Sequence, residues 1–135
     1  MLSPYSATSL DLLLDLVPDL LDSVVQQEGY FELHTVTPAG WDFWLSSELD
    51  ELTVGFAEYH THFGWREGDA LEDTLAAAAF IRELRTGQLV LAVWYEGKEY
   101  VRSQPLERTE SAQPKTWFQR WWRRKQTLVI KQWAE

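Results

Sequence analysis

Leu89 through Trp94 are consecutive apolar residues, set between Gly87 and the turn residues Glu96-Gly97-Lys98. Nothing else in the chain constrains its fold as much. A short run rich in branched and aromatic side chains reads as a strand, and an unbroken apolar strand needs cover on both faces. It therefore belongs at the centre of a sheet, with packed layers around it. The preceding segment supplies one layer. Asp69-Ala70-Leu71-Glu72 carries an N-terminal capping signature, and the helical pattern runs through Ala76–Ala79 to a stop at Gly87. Leu71, Leu75, Ala78, Phe80, Ile81 and Leu84 are expected to form its packing face.

Ser9 to Gln27 reads as a first helix, capped by Ser9 and kinked or broken at Pro18, where a backbone donor is missing. Gly29–Thr37 and Trp41–Leu45 read as a hairpin about Thr37-Pro38-Ala39-Gly40. Glu51–Phe63 reads as a third strand. Its apolar set, Leu52, Val54 and Phe56, changes parity to Tyr59, Thr61 and Phe63, so a bulge or strand end is expected near Ala57-Glu58. Glu99–Pro105 returns after the Glu96-Gly97-Lys98 turn. Residues 106–116 form a polar linker to a Trp/Arg-rich segment expected to dock on the body. Thr127–Trp133 reads as an edge strand, with Lys131 discouraging further pairing. The expected fold is a single α+β domain over residues 1–135. Its sheet is mainly antiparallel, with about five to six strands and two main helices packed on it.

With 135 residues and no cysteine, the chain has length for a sizeable core and no disulfide or thiolate metal site. The start lacks a basic region followed by an uninterrupted apolar stretch, and no stretch approaches the roughly 20 apolar residues of a membrane span. A cytoplasmic place is expected. The net charge of −9 is uneven: residues 1–100 carry 18 acids and 4 bases, and residues 101–135 carry 3 acids and 8 bases. Such an acidic body disfavours nucleic acid and anionic membrane and favours a basic protein partner.

Candidate chemistry is sparse. His60 and His62 point the same way along a strand, and with His34 they could supply a zinc ligand set. The competing reading is a pair of polar residues finishing a strand. There is no activated nucleophile, phosphate-cradling glycine loop or cofactor pattern, so neither an enzyme nor a small-molecule substrate is expected. Trp117, Arg120, Trp121, Arg123 and Arg124 interleave aromatic and basic side chains, a composition that suits single-stranded nucleic acid. The i, i+4 pairs Trp117/Trp121 and Phe118/Trp122 favour docking of this tail instead. Trp41, Trp44, Tyr59, Trp65 and Trp94, with acids close by in sequence, make an interface composition. The residues expected to meet a partner are Asp42, Trp44, Asp50, Glu51, Glu58, Tyr59, His60, His62 and Trp65.

The stretch Thr53-Val54-Gly55-Phe56-Ala57-Glu58-Tyr59-His60-Thr61-His62-Phe63 is followed by Ala78-Ala79-Phe80-Ile81, Gly87-Gln88-Leu89-Val90 and Val93-Trp94-Tyr95-Glu96-Gly97-Lys98. It resembles small bacterial immunity proteins of polymorphic or contact-dependent toxin systems, over about residues 50–102. The resemblance implies a protein that binds and occludes a basic toxin domain, without catalysis of its own. It leaves open whether the His60/His62 pair orders the strand end or touches the toxin.

Overall fold

A computed structural model describes residues 1–64, 69–108 and 126–134. The α+β class and the mainly antiparallel pairing hold, with two main helices. The strands divide into two sheets. β1 (Val24–Gln26), β2 (Phe31–Val36), β3 (Asp42–Ser46), β4 (Leu52–Phe56) and β5 (Tyr59–Phe63) form an antiparallel meander in chain order. β6 (Leu89–Glu96) lies between β7 (Glu99–Glu107) and β8 (Gln126–Lys131) in the second sheet. The apolar run therefore takes the central place its composition demands. Leu91 and Val93 join the main core, and Val90, Ala92 and Trp94 form a second cluster with Leu106 on the other face. Pro105, which has no N–H to donate, sits in an edge strand.

Helix α1 (Pro4–Leu16) starts earlier than the apolar periodicity indicates. Ser3 is its cap, its hydroxyl accepting from Ser6 N at 3.1 Å, and Pro4 takes the first helical position, where a missing N–H costs nothing. Pro18 does break the helix, and Pro18–Ser23 continues as a 3-10 turn. Helix α2 (Ala70–Thr86) begins and ends as expected, with Asp69 Oδ1 accepting from Leu71 N at 2.9 Å and Gly87 at φ 79°.

The packed face of α2 differs from the expected one. Leu71 and Leu75 are about half exposed, while Asp73, Thr74, Ala77, Ala78, Ile81 and Leu84 face inward. The reason lies on α1, which presents polar partners at this contact. Tyr5 OH donates to Asp73 Oδ2 at 2.6 Å, and the Ser9 and Thr74 hydroxyls meet at 2.7 Å. Small side chains bring the helices close, and the hydroxyl pairs satisfy what that closeness buries.

Glu51–Phe63 is a hairpin, not one strand. Phe56 pairs with Tyr59 across a turn whose Ala57 sits at φ 51°. The parity change marks this reversal, which returns Tyr59, Thr61 and Phe63 to the inner face beside Leu52, Val54 and Phe56. No Asn-Gly or Asp-Gly signals the turn in the sequence.

The connection from β3 to β4 holds two adjacent non-glycine residues in the left-handed region, Leu49 at φ 62° and Asp50 at φ 54°. Its base is pinned by Ser47, fully buried, whose hydroxyl accepts from Phe31 N at 3.0 Å and meets Ser6 Oγ at 2.7 Å. Leu49 itself is 88% exposed and gains no burial in return for its backbone conformation. Left-handed geometry costs a non-glycine residue roughly 1–2 kcal/mol, and glycine's extra freedom in the unfolded chain offsets roughly 0.4–1 kcal/mol of any relief. Leu49→Gly is therefore expected to raise stability by about 0.5–1 kcal/mol in urea unfolding. Leu49→Ala, which keeps the strain, should give no gain.

Candidate partner-binding face

Alternation along β2 to β5 sends Phe31, Leu33, Phe43, Leu45, Leu52, Val54 and Phe56 into the core. The opposite positions make an outer face. Its register is continuous: His34 pairs with Trp44, Trp44 with Gly55, and Gly55 with His60. The next row runs Glu32, Ser46, Thr53, His62. Asp42 flanks Trp44 on the same strand, and Glu51 reaches the face at its β5 side.

Trp44 lies over Gly55. A Cβ built on Gly55 would fall 1.9 Å from the indole Nε1 and 2.1 Å from Cε2, so only glycine leaves room for the ring. The His60 ring lies beside it, 6.2 Å between centroids and tilted 33°, and the His62 ring meets His60 edge-on at 5.4 Å. His62 Nδ1 lies 2.9 Å from Thr53 Oγ1 and 3.1 Å from Glu51 Oε1, and His34 Nε2 lies 3.4 Å from Asp42 Oδ1. Asp50 Oδ1 accepts from Ser3 Oγ at 2.8 Å.

Asp42, Trp44, Glu51, His60 and His62 are thus gathered on one surface, with Asp50 on the adjoining turn. Two expected contact residues are not part of it. Tyr59 points inward, its ring 6.4 Å from Phe80, because the hairpin restores it to the core side. Glu58 is consumed internally. Lys131 Nζ donates to its Oε1 at 2.5 Å and its Oε2 at 2.8 Å, and Tyr95 OH also donates to Oε2. Lys131 is accordingly 7% exposed and turned inward, where the sequence reading made it a guard of the strand edge. Trp65 lies outside the described residues, as do Trp117, Arg120, Trp121, Arg123 and Arg124, with most of the 106–116 linker.

His34 does not join His60 and His62. Three strand spacings separate its row position from His60, roughly 14 Å at the usual inter-strand distance. Among the described residues no group of three His, Cys, Asp or Glu side chains is placed to hold a metal ion. No helix among the described residues is long and apolar enough to cross a membrane.

One strong signal lay in plain view in the sequence. The first Lys or Arg is Arg66, so α1 and all of β1–β5 contain neither, against 11 acids before that point. Two of those acids meet Lys or Arg side chains among the described residues: Asp19 with Arg85, and Glu58 with Lys131. Glu32, Asp42, Glu48, Asp50 and Glu51 are left to define the charge of the outer face and its turn. Comparison with known protein families, curated proteins and solved structures gives no match for this chain.

Proposed function

We propose that this chain is a protein-binding domain that captures a basic protein on the outer face of its five-stranded sheet. The face neutralises its partner by occlusion, as in an acidic immunity-like protein acting on a toxin domain, and the chain itself performs no catalysis. The observation that carries this reading is the absence of Lys and Arg from the whole α1–β5 segment. It leaves an acidic surface with an aromatic centre, Trp44, and no Lys or Arg on the strands that build it. Aromatic anchors among acids suit a partner whose own cationic groups meet a polyanionic substrate, and the fit would block those same groups.

The test is purification of the tagged chain from its own cells at low salt, beside a variant carrying Asp42→Asn, Glu48→Gln, Asp50→Asn and Glu51→Gln. The expected result is a stoichiometric basic protein that stays on the wild type and leaves in a wash above about 0.5 M salt, where the screening length shortens to a few ångströms. The variant should lose it at low salt. A partner retained equally by both chains, or one that is itself acidic, would overturn the reading.

A further inference from the structure

The described residues include four tryptophans, Trp41, Trp44, Trp94 and Trp133, and three of them carry a cation of this chain over the ring. Lys131 Nζ stands 4.3 Å from the Trp41 centroid, Arg102 Cζ 3.9 Å from that of Trp94, and Arg85 Cζ 5.4 Å from that of Trp133. Among the described residues Trp44 has no such cation. It also stands on the face where β1–β5 offer no Lys or Arg to provide one.

We propose that Trp44 is a seat for an arginine side chain of the partner, a step that rests on the basic-partner reading. The ring is held in place before binding. Gly55 gives it a bed on β4, and His60 flanks it at 6.2 Å. Two carboxylates neighbour Trp44 in the sheet register. Asp42 is two residues away on the same strand face, and Glu32 occupies a diagonal position on β2. A planar guanidinium can lie on an indole while its N–H fork reaches a carboxylate. An ammonium offers a point charge and stacks less well. The geometry therefore selects arginine over lysine, where acidity alone would not choose.

The probes are two capped tetrapeptides, one of arginine and one of lysine, titrated at about 50 mM salt by calorimetry and by the indole N–H resonance of Trp44. That resonance is assigned from its disappearance in Trp44→Phe. The arginine peptide is expected to bind about three- to tenfold tighter than the lysine peptide and to shift the Trp44 resonance. Trp44→Leu should abolish the difference, while Trp44→Phe, which keeps a ring, should retain most of it. The resonances of Trp41, Trp94 and Trp133 should stay in place. Equal binding of both peptides, with the Trp44 resonance still and Trp44→Leu without effect, overturns the arginine seat and leaves the basic-partner reading standing. Failure of both peptides to bind at this salt would remove the arginine seat and the basic-partner reading together. Thermal unfolding of each variant separates loss of the seat from loss of the fold.

Discussion

Lys131→Met is expected to cost about 2–3 kcal/mol of stability. Removing one member of a buried ion pair typically costs about 3–5 kcal/mol, because the other charge stays behind without a partner. The lower figure applies here because the Glu58 side chain keeps about a quarter of its surface in water, against 8% for Lys131. The ammonium donates to both Glu58 oxygens and, at 2.8 Å, to Tyr95 OH, so a carboxylate on the β4–β5 turn and a hydroxyl on β6 lose their common partner. Adding Glu58→Gln to Lys131→Met removes the stranded charge and should recover more than half of the loss. Urea unfolding of the two single variants and the double measures the coupling, and a double variant as unstable as the sum of the singles would contradict the ion-pair account.

The same cluster sets an alkaline limit. Burial pulls the Lys131 ammonium toward neutrality, but its bonds to Glu58 and Tyr95 outweigh that and hold its pKa above the ordinary lysine value. A cation whose pKa is raised by folding stabilises fully below its unfolded pKa, and the gain is lost as pH climbs through the folded value. Tyr5 acts in the same window. Burial first, then its bond to Asp73, pushes its phenol well up, so the unfolded chain ionises near pH 10 while the folded chain stays neutral. Stability should therefore hold to about pH 10 and fall above it, less steeply in Lys131→Met, as read from chemical unfolding at a series of pH values.

Local pattern told most about the elements whose own residues specify them. The α2 limits follow from Asp69 and Gly87, and the central place of β6 follows from its unbroken apolar run. The parity change at Ala57-Glu58 was a true signal, but a two-residue reversal without glycine resembles a bulge when read along one strand. The inward turn of Lys131 was not legible, since its partner Glu58 is 73 residues away and no local rule joins them. The same holds for α2, whose buried Thr74 and Asp73 make sense only once Ser9 and Tyr5 stand opposite. For the candidate face, the types of its residues were readable, but their assembly was not. The role of Gly55 shows only once Trp44 lies across it from the neighbouring strand.

The core beneath that face gives the largest single effect. Phe43→Ala is expected to cost about 3–5 kcal/mol, the usual range for emptying a fully buried aromatic position. Phe43 has no exposed surface, pairs with Phe56 across β3 and β4, and meets the Trp133 ring edge-on at 4.9 Å. Trp133 also lies over Phe56, 6.1 Å between centroids, so one ring from beyond β8 closes the inner face of the meander. Removing Phe43 opens a cavity that neither neighbour can fill, because each is held by the other and by the strands. Phe43→Leu should cost clearly less, about 1–2 kcal/mol, since most of the volume remains. The loss bears on function because Phe43 stands between Asp42 and Trp44 in sequence, and its burial fixes which way both of them point. Urea unfolding at neutral pH is the measurement. A loss below about 1 kcal/mol for Phe43→Ala would mean that Trp133 does not pack there, and the anchor that holds the outer face in register would have to lie elsewhere.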